Sequence, residues 1–90
     1  MIFVWDPGKA ATNLKKHGIG FEEASTIFLD TLSITGIDSE HSRGEERWLT
    51  FGASSQGKFL VVSHADEGDS VRIISARTGS KSERKLYEEG

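Results

Sequence analysis

The spacing of apolar positions alternates between that of strands and that of helices along the chain. Residues 2–5, Ile2-Phe3-Val4-Trp5, are β-favouring and predict a short first strand. Asp6-Pro7 then marks a helix start, because the Asp6 carboxylate can accept from free first-turn amides and proline suits the first helical position. Ala10, Ala11 and Leu14 fall on one face of that helix. Lys15, Lys16 and His17 sit in its last turn, and Gly18 suits the left-handed closing position. A second helix is predicted over residues 21–29. Its apolar stripe is Phe21, Ala24, Ile27 and Phe28, and Glu22 and Glu23 match the dipole in its first turn. Helices this short need a sheet to pack on.

Strand-like segments follow at 31–35, 47–51, 58–64 and 70–77. Between the first two lies a polar loop, 36–44, with Asp38, Glu40, His41, Ser42 and Arg43. Ser54-Ser55-Gln56-Gly57 and Asp66-Glu67-Gly68-Asp69 read as hairpin turns. Ser80-Lys81-Ser82-Glu83 is a capping box that opens a third helix carrying Leu86 and Tyr87. The order β-α-α-β-β-β-β-α gives an α+β class: a small antiparallel sheet, a meander, with two N-terminal helices packed on it and a C-terminal helix.

Ninety residues allow a single domain, 1–90, with a small core burying roughly 60–65% of the unfolded surface. The absence of cysteine excludes disulfides, thiolate zinc sites and a cysteine nucleophile. No signal peptide or membrane span is evident, and a cytoplasmic protein is expected. The net charge of −3 argues mildly against a general nucleic-acid binder. Residues 71–90 nevertheless carry Arg72, Arg77, Lys81, Arg84 and Lys85 against three carboxylates. Such a local basic patch can hold phosphate, although Lys81, Arg84 and Lys85 also fit a solvated helix face.

The candidate chemistry narrows by elimination. His17, His41 and His64 show no paired metal-ligand spacing, and Asp38, Glu40 and His41 match no coordination motif. No metal or cofactor is expected. Gly18-Ile19-Gly20 is not a phosphate loop, and neither Ser42 nor Ser63 lies in a nucleophile elbow. What remains is Arg72-Ile73-Ile74-Ser75-Ala76-Arg77, with Arg47 and His64 on other strands. Regular alternation puts Arg72 and Arg77 on opposite faces unless the strand bulges. Ion pairing with Glu45, Glu46 or Asp6 accounts for such arginines; so does metal-free phosphodiester cleavage, with guanidinium groups stabilising charge on phosphorus and a histidine or carboxylate moving protons.

An ordered set of segments resembles the BrnT toxins of bacterial type II toxin–antitoxin systems. The set comprises Phe3-Val4-Trp5-Asp6-Pro7-Gly8-Lys9, Asn13-Leu14-Lys15-Lys16-His17-Gly18 and Phe21-Glu22-Glu23-Ala24. It continues with Asp38, His41-Ser42, Gly44-Glu45-Glu46-Arg47, Arg72-Ile73-Ile74-Ser75-Ala76-Arg77 and Glu83-Arg84-Lys85-Leu86-Tyr87-Glu88. The resemblance spans residues 3–89 and implies a RelE-like fold. It implies a metal-independent endoribonuclease that cleaves RNA, including ribosome-associated mRNA, and inhibits translation. It further implies a BrnA-like antitoxin as partner, with operator DNA reached only through that antitoxin. Carried over by position, the catalytic candidates are Lys9, Glu46, Arg47, His64, Arg72 and Arg77. Trp5, Asp6, Asn13, His17 and Gly18 fit a framework role. The low net charge departs from strongly basic RelE-like toxins and implies a weaker grip on free RNA, or a second RNA-binding surface such as the ribosome. The alternative is a toxin fold that has lost catalysis and serves as a co-repressor with its antitoxin.

Overall fold

The computed structural model describes all residues, 1–90. The elements are β1 (Ile2–Val4), α1 (Pro7–His17), α2 (Phe21–Ser25), a 3-10 turn (Thr26–Leu29), β2 (Ile34–Ile37), β3 (Trp48–Ala53), β4 (Phe59–Glu67), β5 (Ser70–Thr78) and α3 (Lys81–Glu89). No helix is long and apolar enough to cross a membrane.

The five strands form one sheet in the order β1-β5-β4-β3-β2. β2 to β5 make the expected antiparallel meander. The sheet as a whole is mixed, however, because β1 lies parallel to β5, with Phe3 opposite Val71. A hairpin forces antiparallel pairing only on the strands it joins. β1 is separated from the meander by the helical layer, so its direction is set by where that layer returns the chain.

Local side-chain hydrogen bonds and one glycine explain where predicted boundaries moved. The expected helix 21–29 breaks after Ser25, where Ser25 Oγ and Thr26 Oγ1 donate to the carbonyls of Glu22 and Glu23. Such back-bonding competes with the helical ladder, and a 3-10 turn continues. The second strand starts at Ile34 rather than residue 31, because Asp30 closes a turn by accepting from the Leu32 amide at 3.0 Å. β4 runs on through Glu67, and Glu67 pairs with Ser70 across a two-residue turn that needs Gly68 at φ 63°.

α1, α2 and the 3-10 turn cover one face of the sheet. Leu60, Val62, Ile73 and Ala76 meet Ile19, Phe21, Ala24 and Ile27 there, all buried. Asp6 caps α1 by accepting from the Gly8 and Lys9 amides, Gly18 closes it at φ 72°, and Trp5 packs edge-on to Phe21. Asn13 is the polar element of this core. Its amide donates to the carbonyls of Ile19 and Ala76 and its oxygen accepts from the Ala76 amide, so it completes the free edge of β5 beyond β1.

The other face is open in its middle. α3 closes one end, where Tyr87 packs on Phe59 and donates to Asp30 at 2.6 Å. The chain passes so close at Gly79 that any side chain there would collide with the Phe59 ring. Loop 38–47 borders the opposite end.

One irregularity decides what this face carries. Ser63 pairs with Ser75 and His64 with Ile73, so Ile74 is an extra residue in β5, a bulge. Arg72 pairs with Ala65 and Arg77 with Val61, four residues apart on β4. The two arginines therefore share the open face, whereas simple alternation separates them.

Candidate functional site

A cleft of about 270 Å³ lies on the open face between loop 38–47 and strands β3 to β5. Asp38 and His41 reach it from the loop, Arg47 from the base of β3, Ser63 from β4, and Ser75 and Arg77 from β5.

The loop is held from within and from outside. The Asp38 amide donates to the Arg47 carbonyl at 2.8 Å, extending the β2–β3 ladder. Ser42 Oγ donates to the Asp38 carbonyl at 2.6 Å and accepts from the Arg47 amide at 2.9 Å. Arg72 fixes the rim: one nitrogen donates to both oxygens of Glu45 at 2.7 Å, and Nε donates to Glu67 at 2.7 Å. The Glu45 carboxyl is held below its usual range by that guanidinium, and Arg72 is raised by it in turn. Arg72 thus acts on the cleft through the loop it anchors.

Inside the cleft, His41 Nδ1 lies 2.9 Å from Asp38 Oδ2, with the imidazole 63% exposed and the aspartate 11% exposed. A carboxylate can only accept, so it selects the tautomer with hydrogen on Nδ1 and leaves Nε2 as a free acceptor. Arg77 forms a two-pronged pair with Glu83, both contacts at 2.8 Å. That hydrogen-bonded guanidinium holds the Glu83 carboxyl down at about 2, and the Glu83 carboxylate raises Arg77 in turn. Of the two guanidinium groups in the cleft, Arg47 is the less committed: its nearest carboxylate contact, Glu45, is 3.8 Å away, and its buried Nε has no hydrogen-bond partner.

The fold that carries this cleft has counterparts among known proteins. The family profile described as "Ribonuclease toxin, BrnT, of type II toxin-antitoxin system" matches residues 5–83. The chain belongs to the BrnT family. In fold it is similar to the Brucella abortus ribonuclease toxin BrnT, whose crystal structure was determined at 1.1 Å resolution. The two share 20% identity with a TM-score of 0.68, over 90% of this chain and 100% of that one. No curated protein sequence matches. Membership in the BrnT family makes the chain one of a group of type II ribonuclease toxins, a class defined by a protein antitoxin partner.

The residues expected from the BrnT resemblance separate in space. Arg47 and Arg77 meet in the cleft, and Arg72 stands at its rim. Lys9 lies on α1 in a different groove, of about 530 Å³. Glu46 is exposed outside the cleft lining, and the carboxylate that contacts both Arg47 and Arg72 is its neighbour Glu45. His64 projects to the helix-covered face, 5% exposed, with its ring edge-on to Phe28 at 5.0 Å. Its Nε2 lies 2.7 Å from Thr50 Oγ1, which in turn lies 2.7 Å from Thr35 Oγ1. Burial pushes its pKa below 6.5.

The Asp38–His41 pair was not among the expected catalytic residues. Its signal in the sequence is the Asp-x-x-His spacing in a polar loop, weighed there only as a metal-ligand pattern. Donor atoms of Asp38, Glu40 and His41 do lie within 4.8 Å of one another. The hydrogen bond fixed by geometry is nonetheless the one between His41 and Asp38.

Proposed function

We propose that this chain is an active, metal-independent endoribonuclease with His41 as its proton-transfer residue and Arg47 and Arg77 as its phosphate ligands. The observation that carries the reading is the convergence of the Asp38-oriented imidazole with both guanidinium groups in one cleft. Nε2 of His41 takes the proton from an RNA 2′-hydroxyl. The 2′-oxygen bonds to the adjacent phosphorus while the bond from phosphorus to the 5′-oxygen breaks. The imidazolium, stabilised by Asp38, returns its proton to the leaving 5′-oxygen. The products are a 2′,3′-cyclic phosphate and a 5′-hydroxyl end. Arg47 and Arg77 face the charge that develops on the phosphoryl oxygens. Dependence on the 2′-hydroxyl restricts the reaction to RNA.

Translation inhibition follows from mRNA cleavage in this reading, with a RelE-like use of the open sheet face. A BrnA-like antitoxin neutralises the chain by covering the cleft around Arg77. The deciding experiment incubates the partner-free protein with RNA, alone and with ribosomes, in excess EDTA. Cyclic-phosphate ends formed by the wild type and lost in His41→Ala support the reading. Activity abolished by EDTA and restored by magnesium overturns its metal-free form and points to Asp38, Glu40 and His41 as ligands.

One observation favours a second reading. Arg72 and Arg77 are both saturated by carboxylates, as a non-catalytic co-repressor would retain them. Absence of cleavage under every condition, with intact binding to the antitoxin, selects that alternative.

A further inference from the structure

The largest cavity of the molecule is not the cleft but the groove between α1 and β5, about 530 Å³. It is lined by Lys9, Thr12, Lys16 and His17 on α1 and by Ile74 and Ser75 on β5. Ile74 and Ser75 also line the cleft, so the two depressions meet across the bulge in β5. Lys9, Thr12 and Lys16 follow the i, i+3, i+7 stripe of one helix face. The two lysines are about 10 Å apart along the helix axis and offer two phosphates separate partners. α1 carries three lysines and a histidine and no carboxylate, in a protein whose net charge is −3. The one acidic residue in the lining, Asp6, already accepts from the Gly8 and Lys9 amides. None of these three lysines has a carboxylate within ion-pair distance, whereas Arg72, Arg77 and Arg84 all do.

The geometry points to the α1–β5 groove as a binding track for the RNA backbone that flanks the cleaved bond. Single-stranded RNA leaving the cleft crosses β5 at Ile74 and Ser75 and lays its next phosphates along Lys9 and Lys16. This rests on the ribonuclease reading of the cleft and adds where the rest of the substrate goes. It also gives an acidic protein a local hold on a polyanion: α1 presents three lysines and no carboxylate of its own. The grip is electrostatic and independent of base identity, because the groove presents ammonium groups to phosphates.

The test pairs cleavage with direct binding, using the full chain and the Lys9→Ala/Lys16→Ala variant. Both lysines are exposed, and circular dichroism with a melting curve verifies the fold. For cleavage, a twelve-nucleotide RNA is compared with a dinucleotide. For binding, the same twelve-mer with 2′-O-methyl groups, which cannot be cleaved, is followed by fluorescence anisotropy. The variant is expected to lose about tenfold more kcat/KM on the twelve-mer than on the dinucleotide. The slope of log affinity against log salt falls by about 1.4, near 0.7 per lost phosphate contact on a single strand. Equal losses on both substrates place the lysines in the chemistry and overturn the track. Unchanged binding and an unchanged salt slope overturn it as well. If the wild type cleaves nothing, the binding arm alone decides: loss of twelve-mer affinity in the variant keeps the track while the catalytic reading falls. Polyglutamate that binds the wild type and not the variant, with RNA binding unaffected by the lysines, assigns the groove to an acidic protein segment instead.

Discussion

His41 and His64 occupy opposite sides of one sheet, and the contrast shows how little residue type alone reveals. His64 is buried under Phe28, shares one nitrogen with Thr50 and is held neutral by its surroundings. His41 is exposed, oriented by Asp38 and faces two arginines. The strand residue is part of the core, and the loop residue sits where a substrate can reach. Loops placed by a rigid sheet commonly carry function for this reason.

The largest expected effect tests the open side. His41→Ala should lower RNA cleavage by at least about a hundredfold, the usual scale for a general acid–base group, without a measurable change in melting temperature. Steady-state cleavage and a melting curve on one sample check both. A variant with full activity would remove His41 from the mechanism. Arg47→Ala should cost about a hundredfold as well, the scale of one lost transition-state donor. Arg47→Lys should rescue only in part, because lysine lacks the forked geometry.

On the covered side the signs reverse. His64→Ala should lower stability by about 2–4 kcal/mol through a cavity and the loss of one of the two hydrogen bonds of the Thr50 hydroxyl, while activity per folded molecule stays constant. Chemical denaturation measures the first, and cleavage normalised to the folded fraction the second. A stable but inactive His64 variant would break the comparison outright.

The smallest effects lie in the pH dependence of stability. The folded His64 has a pKa below 6.5, so below pH 6.5 the unfolded chain binds a proton that the folded one does not. Stability is fully present above pH 6.5 and declines as pH falls beneath it, a slope that His64→Ala should flatten. Glu83 has a folded value of about 2 against an ordinary 4.5. Its contribution is present above pH 4.5 and is lost as pH falls toward 2. Glu83→Gln should remove that second decline and lower the melting temperature at pH 7 by a few degrees. Melting curves between pH 2 and 8 separate the two windows.

The fold was largely legible because local signals agreed with it. Asp6-Pro7 with Gly18 bounded α1, the capping box opened α3, and hairpin turns spaced the meander. The parallel β1–β5 pair was not legible, since no local signal states where an isolated strand will dock. The bulge was equally hidden. Ile73 and Ile74 are both apolar, so the pattern gives no hint that Ile74 drops out of register and puts Arg72 and Arg77 on one face. Site residues were legible by type and not by partner. The guanidinium groups were evident, but Glu45 rather than Glu46 as the carboxylate of Arg47 and Arg72, and Asp38 as the orienter of His41, depend on how a ten-residue loop folds back on itself.

The position of β5 has a consequence for biosynthesis. It lies between β1 and β4, and of the five strands of the sheet β1 is made first and β5 last. It carries Arg77, and the helix after it carries the Glu83 partner. A nascent chain that has emerged only as far as β4 has a free edge where β5 belongs and no cleft. Closing the sheet joins residues about seventy positions apart, a long-range step of the kind that slows folding. The order of synthesis therefore delays assembly of the cleft until β5 and α3 have both emerged.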